Sequence, residues 1–309
     1  MSKTLWLGAM NFGGRVSKEA SQSIIAHALS RGLVHIDTSN SYGDGESERI
    51  VGASIGKSLD VVVATKVGMA RRGGRSEGLS PQAIVASVDA SRKRLGRDIL
   101  DILYLHAPDP ETPIEATLET LVQLIDERKI GSWAVSNYAA WQVAEMLLLC
   151  EARKWPKPAL SQVLYNTLVR QIELEYLPFA RARGVKTVVY NPLAGGLLSG
   201  KHRSENLPNS ASRFAKNTLY QKRYWSKPMF DRVTALEGIA RDARRSLVAL
   251  SYGFLAAREG VSGILVGPSE VSHIDDAIDA MSLPLDTSIL NKIDAFESSI
   301  LGTDARYAR

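Results

Sequence analysis

Residues 34–43 read VHIDTSNSYG, and the first four form a short apolar, β-branched run that ends on the acid Asp37. A polar turn then carries the chain to Tyr42. In a parallel-sheet protein such a run is the carboxyl-terminal tip of a strand, the place where open and closed α/β folds keep their chemistry. A carboxylate and a phenol five residues apart therefore face one site.

Outward from this stretch, short apolar segments alternate with longer amphipathic ones. Strands are predicted at Leu5 to Ala9, Val34 to Asp37, Val61 to Lys66, Leu100 to His106, Ser132 to Ser136, Ser161 to Leu164, Lys186 to Tyr190 and Gly263 to Val266. Helical spacing of apolar residues runs through Lys18 to Arg31, Ser47 to Gly56, Pro81 to Leu95, Ile114 to Arg128, Trp141 to Arg153, Ile172 to Arg183, Met229 to Arg258 with an interruption, and Val271 to Ala280. Ser80 before Pro81 and Thr112 before Pro113 both read as helix starts, with proline at the first helical position. Eight strand and helix repeats predict a closed (β/α)8 barrel, with an open doubly wound sheet as the runner-up. Residues 1–309 are read as one domain, with a long loop after the seventh strand and a carboxyl-terminal tail over the barrel mouth.

Composition narrows the class of function. A 45% hydrophobic content over 309 residues is enough for a large core. The net charge of +5 is mild and scattered, and its tightest cluster, Arg71, Arg72 and Arg75, lies among glycines as a solvated loop would. No stacking aromatics interleave with it, so a nucleic-acid partner is not expected. The surplus still suits an anionic cofactor or substrate. Cys150 is the single cysteine, which rules out an intrachain disulfide and a thiolate metal cluster, and points to a reducing compartment. The amino terminus, MSKTLWLGAM, has too short an apolar run for a signal peptide and no stretch of about 20 apolar residues occurs, so a cytoplasmic protein without a membrane span is expected.

In a barrel, active residues belong at strand carboxyl ends or in the loops that follow. Asp37 ends the second strand, Tyr42 lies in its loop, Lys66 ends the third strand in VVVATK, and His106 ends the fourth in DILYLH. An acid, a phenol, an ammonium and an imidazole at one mouth fit proton delivery to a carbonyl oxygen. A phenol of pKa about 10 is a poor acid near neutrality unless a cation favours its ionised form, which Lys66 can do. Asp37 would hold Lys66 charged, and His106 could place the carbonyl or share in proton transfer. Each residue alone has a plainer reading: a turn cap for Asp37, a salt bridge for Lys66, a structural hydrogen bond for His106. The set of four carries the argument.

The stretches IDTSNSYGDGESE, VVVATK, DILYLHAPD, AVSNY, QVLYN and YNPLAGGLLSGK resemble those of the aldo-keto reductases, in the same order and along nearly the whole chain. LGAM, YLHAPDPETPIEATL, SNYAAWQVAE, RYW and a terminal Tyr and Arg are most similar to the aflatoxin aldehyde and succinic semialdehyde reductase subgroup. The resemblance implies a catalytic tetrad of Asp37, Tyr42, Lys66 and His106 with Tyr42 as general acid, and a nicotinamide cofactor across the mouth. It implies that Ser136, Asn137 and Gln162 hold the nicotinamide carboxamide and that Tyr190 stacks on the ring. Without the family, Asn137 is a plausible turn residue and Gln162 a plausible buried hydrogen-bonder. By the same resemblance Asn191, Leu193, Gly195, Lys201 and Arg213 serve the cofactor's phosphates, and Gly267, Ser269, His273 and Asp276 its adenosine end.

NPLAGGLLSGK also nearly spells a P-loop, but His202 stands where the magnesium-binding Ser or Thr would be. No G-x-G-x-x-G follows a strand, so a Rossmann site is not supported. Residues 202–228 lack clear periodicity and are expected to be an irregular functional segment over the cofactor. The resemblance favours NADPH, but many relatives carry Arg or Lys in place of Ser269, Gln in place of His273 and Asn in place of Ala277, and these losses leave NADH open. The helix starting near Val271 would still offer backbone amides to an anion. Met10, Trp225, Tyr307 and Arg309 are expected to line the substrate pocket with Tyr42 and His106, and Arg309 would suit a carboxylate-bearing aldehyde. The expected function is reduction of aldehydes and some ketones, with a small-molecule carbonyl partner and a homodimer implied only by the subgroup resemblance. The alternative is a nucleotide-binding sensor or interaction subunit with little turnover.

Overall fold

The structure, a computed structural model, describes residues 3–203, 208, 212–215 and 217–301. Contacts divide the chain into two compact units, Met1–Leu164 with Gln171–Tyr190 and Gly260–Asp275, and Tyr165–Arg170 with Asn191–Glu259 and Asp276–Arg309.

In the first unit, among the described residues, eight parallel strands close a barrel in chain order. They are β1 (Thr4–Gly8), β2 (His35–Asp37), β3 (Val62–Val67), β4 (Leu100–Leu105), β5 (Ile130–Ser136), β6 (Ser161–Leu164), β7 (Thr187–Tyr190) and β8 (Val261–Val266). Every strand predicted from the sequence is present, with ends shifted by two residues or fewer. The barrel interior is filled by Trp6, Ala64, Tyr104, Ala134, Leu160, Val188 and Leu265. It is a packed core, as expected of a barrel of this size.

Register brings the polar residues to one rim. Lys66 pairs with Tyr104, Ser136 with Gln162, and Leu164 with Tyr190. Past the strand ends the ladder continues into the loops: Thr38 donates to the Ala64 carbonyl (2.8 Å), His106 to Val67 (2.9 Å) and Asn137 to Gln162 (3.1 Å). The loops that follow these strands are therefore tied to the sheet by their own backbone.

Local signals explain most helix ends. Ser80 caps the helix Pro81–Leu95 by accepting from the Ala83 amide, with Pro81 at the first helical position. The parallel expectation for Thr112 and Pro113 fails. Thr112 Oγ1 donates instead to Asp109 Oδ2 at 2.8 Å, and Pro113 itself is the cap residue of the helix Ile114–Asp126. The helix Glu46–Ile55 starts at Gly45 in a left-handed conformation (φ 84°), where a Cβ would lie 2.6 Å from the Arg94 side chain. Arg94 Nε in turn donates to the buried Glu48, which also accepts from Thr65 Oγ1 at 2.5 Å. That network locks the strand bearing Lys66 against two helices.

Three expectations need correction. The Arg71 to Arg75 stretch is an antiparallel hairpin, Arg71–Arg72 with Arg75–Ser76, because Gly73 and Gly74 both supply the positive φ of a tight turn. The helix expected over 172–183 begins only at Tyr176, after a 3-10 turn at Gln171–Glu173. Residues 202–228 are not wholly irregular, since Thr218–Tyr224 is helical with Asn217 as its side-chain cap and a further helix starts at Lys227. Its short length hid the period.

The second unit holds the helices Lys227–Asp242, Leu247–Ala257 and Thr287–Leu301, the last of which the sequence reading missed. Asp294 on that last helix takes Arg170 and Arg258, each at 2.6 Å, while the Arg258 guanidinium lies 4.1 Å from the Phe254 ring centroid. Burial opposes the charge on Asp294, but the two guanidinium groups outweigh it and hold the carboxyl below its usual range.

Candidate active site

Lys66 is fully buried, and its ammonium has three hydrogens to give. One goes to Asp37 Oδ1 in a short ion pair, one to the Thr38 carbonyl at 2.9 Å, and one to the Tyr42 hydroxyl at 3.2 Å. Burial disfavours the charge, yet Asp37 and Tyr42 outweigh it and push the Lys66 pKa up. The ammonium is therefore permanent near neutrality, and its donation makes the Tyr42 oxygen an acceptor. The phenol's own hydrogen is turned away from Lys66.

His106 lies edge-on to Tyr42, with ring centroids 5.8 Å apart and planes at 81°. Burial, and secondarily the Lys66 charge, push its pKa down to about 3. The imidazole is neutral at working pH and can offer one N–H, not two.

Behind these groups, Gln162 Nε2 donates to Asp37 Oδ2 at 2.7 Å. A carboxylate can only accept, so this contact fixes the orientation of the Gln162 amide and turns its Oε1 elsewhere. Tyr104, fully buried, holds its ring 5.7 Å from the Lys66 ammonium, and burial with the Asp37 charge raises its pKa. It stays a neutral phenol. Asn137 adopts a left-handed backbone (φ 64°), which asparagine tolerates. Its amide donates to the His106 carbonyl at 2.9 Å and to Ser136 Oγ at 3.1 Å, and its Oδ1 accepts from the Tyr190 hydroxyl at 2.7 Å. The first unit thus brings Asp37, Tyr42, Lys66, His106, Ser136, Asn137, Gln162 and Tyr190 together by direct contacts.

Further along the same unit, Gly267 follows the end of β8, and the Ser269 amide is taken by His273 Nδ1 at 3.3 Å. Met10 is 41% exposed. In the second unit, Asn191 Oδ1 accepts from the Gly195 amide at 2.7 Å and its Nδ2 donates to the Tyr224 hydroxyl at 2.8 Å. Gly195 (φ 72°) and Gly196 (φ 108°) turn the chain within the 3-10 stretch Ala194–Ser199 just after Leu193, and a Cβ on Gly195 would meet the Tyr220 ring at 2.6 Å. Lys201 to Arg203, where a P-loop would begin its helix, are not helical, so the phosphate-loop reading falls. Arg213 donates to the Tyr220 hydroxyl at 3.3 Å. Trp225 is packed among Phe214 (4.9 Å), Phe230 (5.1 Å) and His202 (5.4 Å), and Asp276 is exposed. Tyr307 and Arg309 lie outside the described residues.

Sequence reasoning passed over Ser39, Glu77 and Tyr104. Ser39 was inside the opening motif, but nothing in a serine among serines marks it. Glu77 accepts from Asn40 Nδ2 (2.7 Å), the Gly68 amide (2.6 Å) and Ser87 Oγ (2.7 Å), joining the Tyr42 loop to the loop after β3 and to the helix Pro81–Leu95. No spacing rule would have found it.

Among the described residues, no group of three or more His, Cys, Asp or Glu could hold a metal ion, and no helix is long and apolar enough to cross a membrane.

Residues 4–298 match the sequence model of the Aldo/keto reductase family. The chain is 39% identical over 241 residues to aflatoxin B1 aldehyde reductase member 2 of Rattus norvegicus, covering 75% of this chain and 64% of that protein's length. It is 33% identical over 308 residues to the Mus musculus protein of the same name, covering 93% of this chain and 83% of that one. A probable voltage-gated potassium channel subunit beta of Arabidopsis thaliana is 31% identical over 303 residues, covering 94% and 92%. A glycerol dehydrogenase from Gluconobacter oxydans superposes with a TM-score of 0.82 at 24% identity, covering 99% of this chain and 94% of that one, which shows the shared barrel fold. With a family match along almost its whole length and relatives above 30% identity, the chain belongs to the aldo/keto reductase family.

Proposed function

We propose that this protein reduces aldehydes, and some ketones, to alcohols, with Tyr42 delivering the proton. The observation that carries the reading is the saturated Lys66 ammonium, whose three donors are spent on Asp37, Thr38 and Tyr42. Such an ammonium cannot swing away, and it stabilises the negative charge left on the Tyr42 oxygen as the proton leaves. Neutral His106 would orient the carbonyl by a single hydrogen bond, not act as the acid.

A nicotinamide cofactor, NADPH by preference, would supply the hydride, which no side chain can. The residues fit its carboxamide, which both donates and accepts: Ser136 offers a hydroxyl hydrogen, Asn137 the second lone pair of its Oδ1, and Gln162 an Oε1 turned away from Asp37. Tyr190, at the end of its strand, is proposed to pack on the ring. Taken by themselves, Asn191, Leu193, Gly195, Lys201 and Arg213 of the second unit are proposed to serve phosphates, and Gly267, Ser269, His273 and Asp276 the adenosine end. No Arg or Lys stands at 269 and the Ser269 amide is engaged by His273, so NADH competes in this proposal. Met10, Trp225, Tyr307 and Arg309 are proposed for the substrate pocket, with Arg309 favouring carboxylate-bearing aldehydes. A homodimer and a cytoplasmic setting complete the proposal on the subgroup resemblance and the lone cysteine.

The channel-subunit relative, matched over 92% of its length, motivates the second reading of a nucleotide-binding subunit with little turnover. Steady-state oxidation of NADPH and NADH with 4-nitrobenzaldehyde and with succinic semialdehyde separates the two. Sustained turnover supports the reductase; cofactor binding without turnover on either aldehyde supports the subunit. A rise in KM for succinic semialdehyde alone in Arg309→Ala would support the carboxylate preference, and equal effects on both aldehydes would end it.

A further inference from the structure

The ring of His106 has two nitrogens and, being neutral, one hydrogen to share between them. Which nitrogen holds it decides whether the residue can donate to a substrate oxygen at all. Nδ1 lies 3.2 Å from Ser39 Oγ. Among the described residues Nε2 has no hydrogen-bond partner, so with Nδ1 on Ser39 it is the nitrogen left for a carbonyl oxygen.

Ser39 is fully buried, and its oxygen is crowded by donors. The Ser41 amide donates to it at 3.2 Å, and Ser41 Oγ lies 2.9 Å away. In the arrangement in which the Ser41 hydroxyl donates as well, both lone pairs of Ser39 Oγ are filled and its own hydrogen goes outward. Two acceptors lie in reach. The Lys66 carbonyl is at 3.5 Å and already accepts from the Asn40 amide at 3.2 Å, whereas His106 Nδ1 is at 3.2 Å and otherwise unpartnered. A hydroxyl oriented from behind prefers the shorter, unshared acceptor.

We propose that Ser39, itself oriented by Ser41, donates to His106 Nδ1 and so fixes the single imidazole hydrogen on Nε2, where it can meet a carbonyl oxygen. Ser39 is then a positioning residue that touches neither substrate nor cofactor. The inference rests on the proposed carbonyl reduction for its purpose, but the position of the hydrogen is a property of the resting protein. The alternative tautomer would present a lone pair to the carbonyl oxygen and repel it. Asn137, which holds the His106 carbonyl, and the backbone bond from the His106 amide to Val67 fix the residue without choosing a tautomer. Among the described residues, the choice falls to Ser39.

The test is 15N NMR of protein labelled at its five histidines, with the His106 signals assigned by their loss in His106→Asn. The wild type should show a protonated Nε2 and an accepting Nδ1. Ser39→Ala should shift His106 towards a mixture of tautomers and lower kcat by on the order of 10-fold, the worth of one neutral hydrogen bond, with cofactor affinity unchanged. Ser39→Thr keeps the hydroxyl and should restore both readouts, and Ser41→Ala should move both in the same direction by less. A wild-type His106 protonated on Nδ1, or a tautomer unmoved by Ser39→Ala, overturns the proposal. Because the tautomer is read without turnover, an absence of carbonyl reduction would strike the proposed function and leave this measurement legible.

Discussion

Gln162 donates from Nε2 to Oδ2 of Asp37 at 2.7 Å, while Oδ1 of the same carboxylate holds Lys66. One amide thus stands between the Lys66–Asp37 pair proposed to activate Tyr42 and the rim proposed to receive the nicotinamide. Gln162→Glu places a second carboxyl beside Asp37, and like charges at that distance resist joint ionisation. While protonated, the introduced carboxyl can still donate to Asp37, so activity should survive at low pH. As pH rises through its elevated pKa the bond is replaced by repulsion, and activity should fall. A kcat profile that matches the wild type from acid to alkaline pH would contradict this coupling.

Removing one partner of the Lys66 and Asp37 pair strands a buried charge. Lys66→Met should destabilise the fold by about 3 to 5 kcal/mol. Adding Asp37→Asn to it should restore part of that loss, because the orphaned charge is gone. Urea unfolding of the two single variants and the double variant checks the coupling; simple additivity would show that the pair does not interact.

The pH dependence of stability has a defined sign at His106. Its folded pKa is about 3 against 6.5 unfolded, so between these values the unfolded chain binds the extra proton. Stability is therefore lost as pH falls from about 6.5 towards about 3, with a slope of up to about 1.4 kcal/mol per pH unit from this one group. The urea midpoint of His106→Gln should vary less with pH over that interval than that of the wild type. Equal dependence in both proteins would remove His106 as the source.

Glu77 holds Asn40, Gly68 and Ser87 through charge-assisted bonds, which only a carboxylate accepts on all sides. Glu77→Gln substitutes a donor for one acceptor and should cost about 1 to 3 kcal/mol. Since Asn40 lies two residues before Tyr42, kcat should drop with little change in cofactor affinity. Thermal unfolding and turnover measured together test this, and an unchanged midpoint would show the network to be dispensable.

The barrel was legible because its strands are apolar runs ended by polar residues, and Asp37, Lys66 and His106 each mark such an end. The meeting of Asp37, Tyr42, Lys66 and His106 was legible for the same reason, since strand register brings those ends to one rim. Residues that act through others were not. Ser39, Glu77 and Tyr104 work by contacts between segments distant in sequence, and no local period or propensity encodes a partner 67 positions away, as for Ser39 and His106. The short helix Thr218–Tyr224 lay below the length at which periodicity is visible, and the hairpin at Arg71–Ser76 depended on two glycines whose turn geometry the charge count obscured.

Whether Tyr42 gives up the proton is decided by a single turnover with reduced cofactor bound beforehand. In Tyr42→Phe, the rate of nicotinamide oxidation on adding 4-nitrobenzaldehyde should fall by about 100- to 10,000-fold, with cofactor affinity unchanged. A variant that keeps the wild-type rate would show that the proton comes from elsewhere.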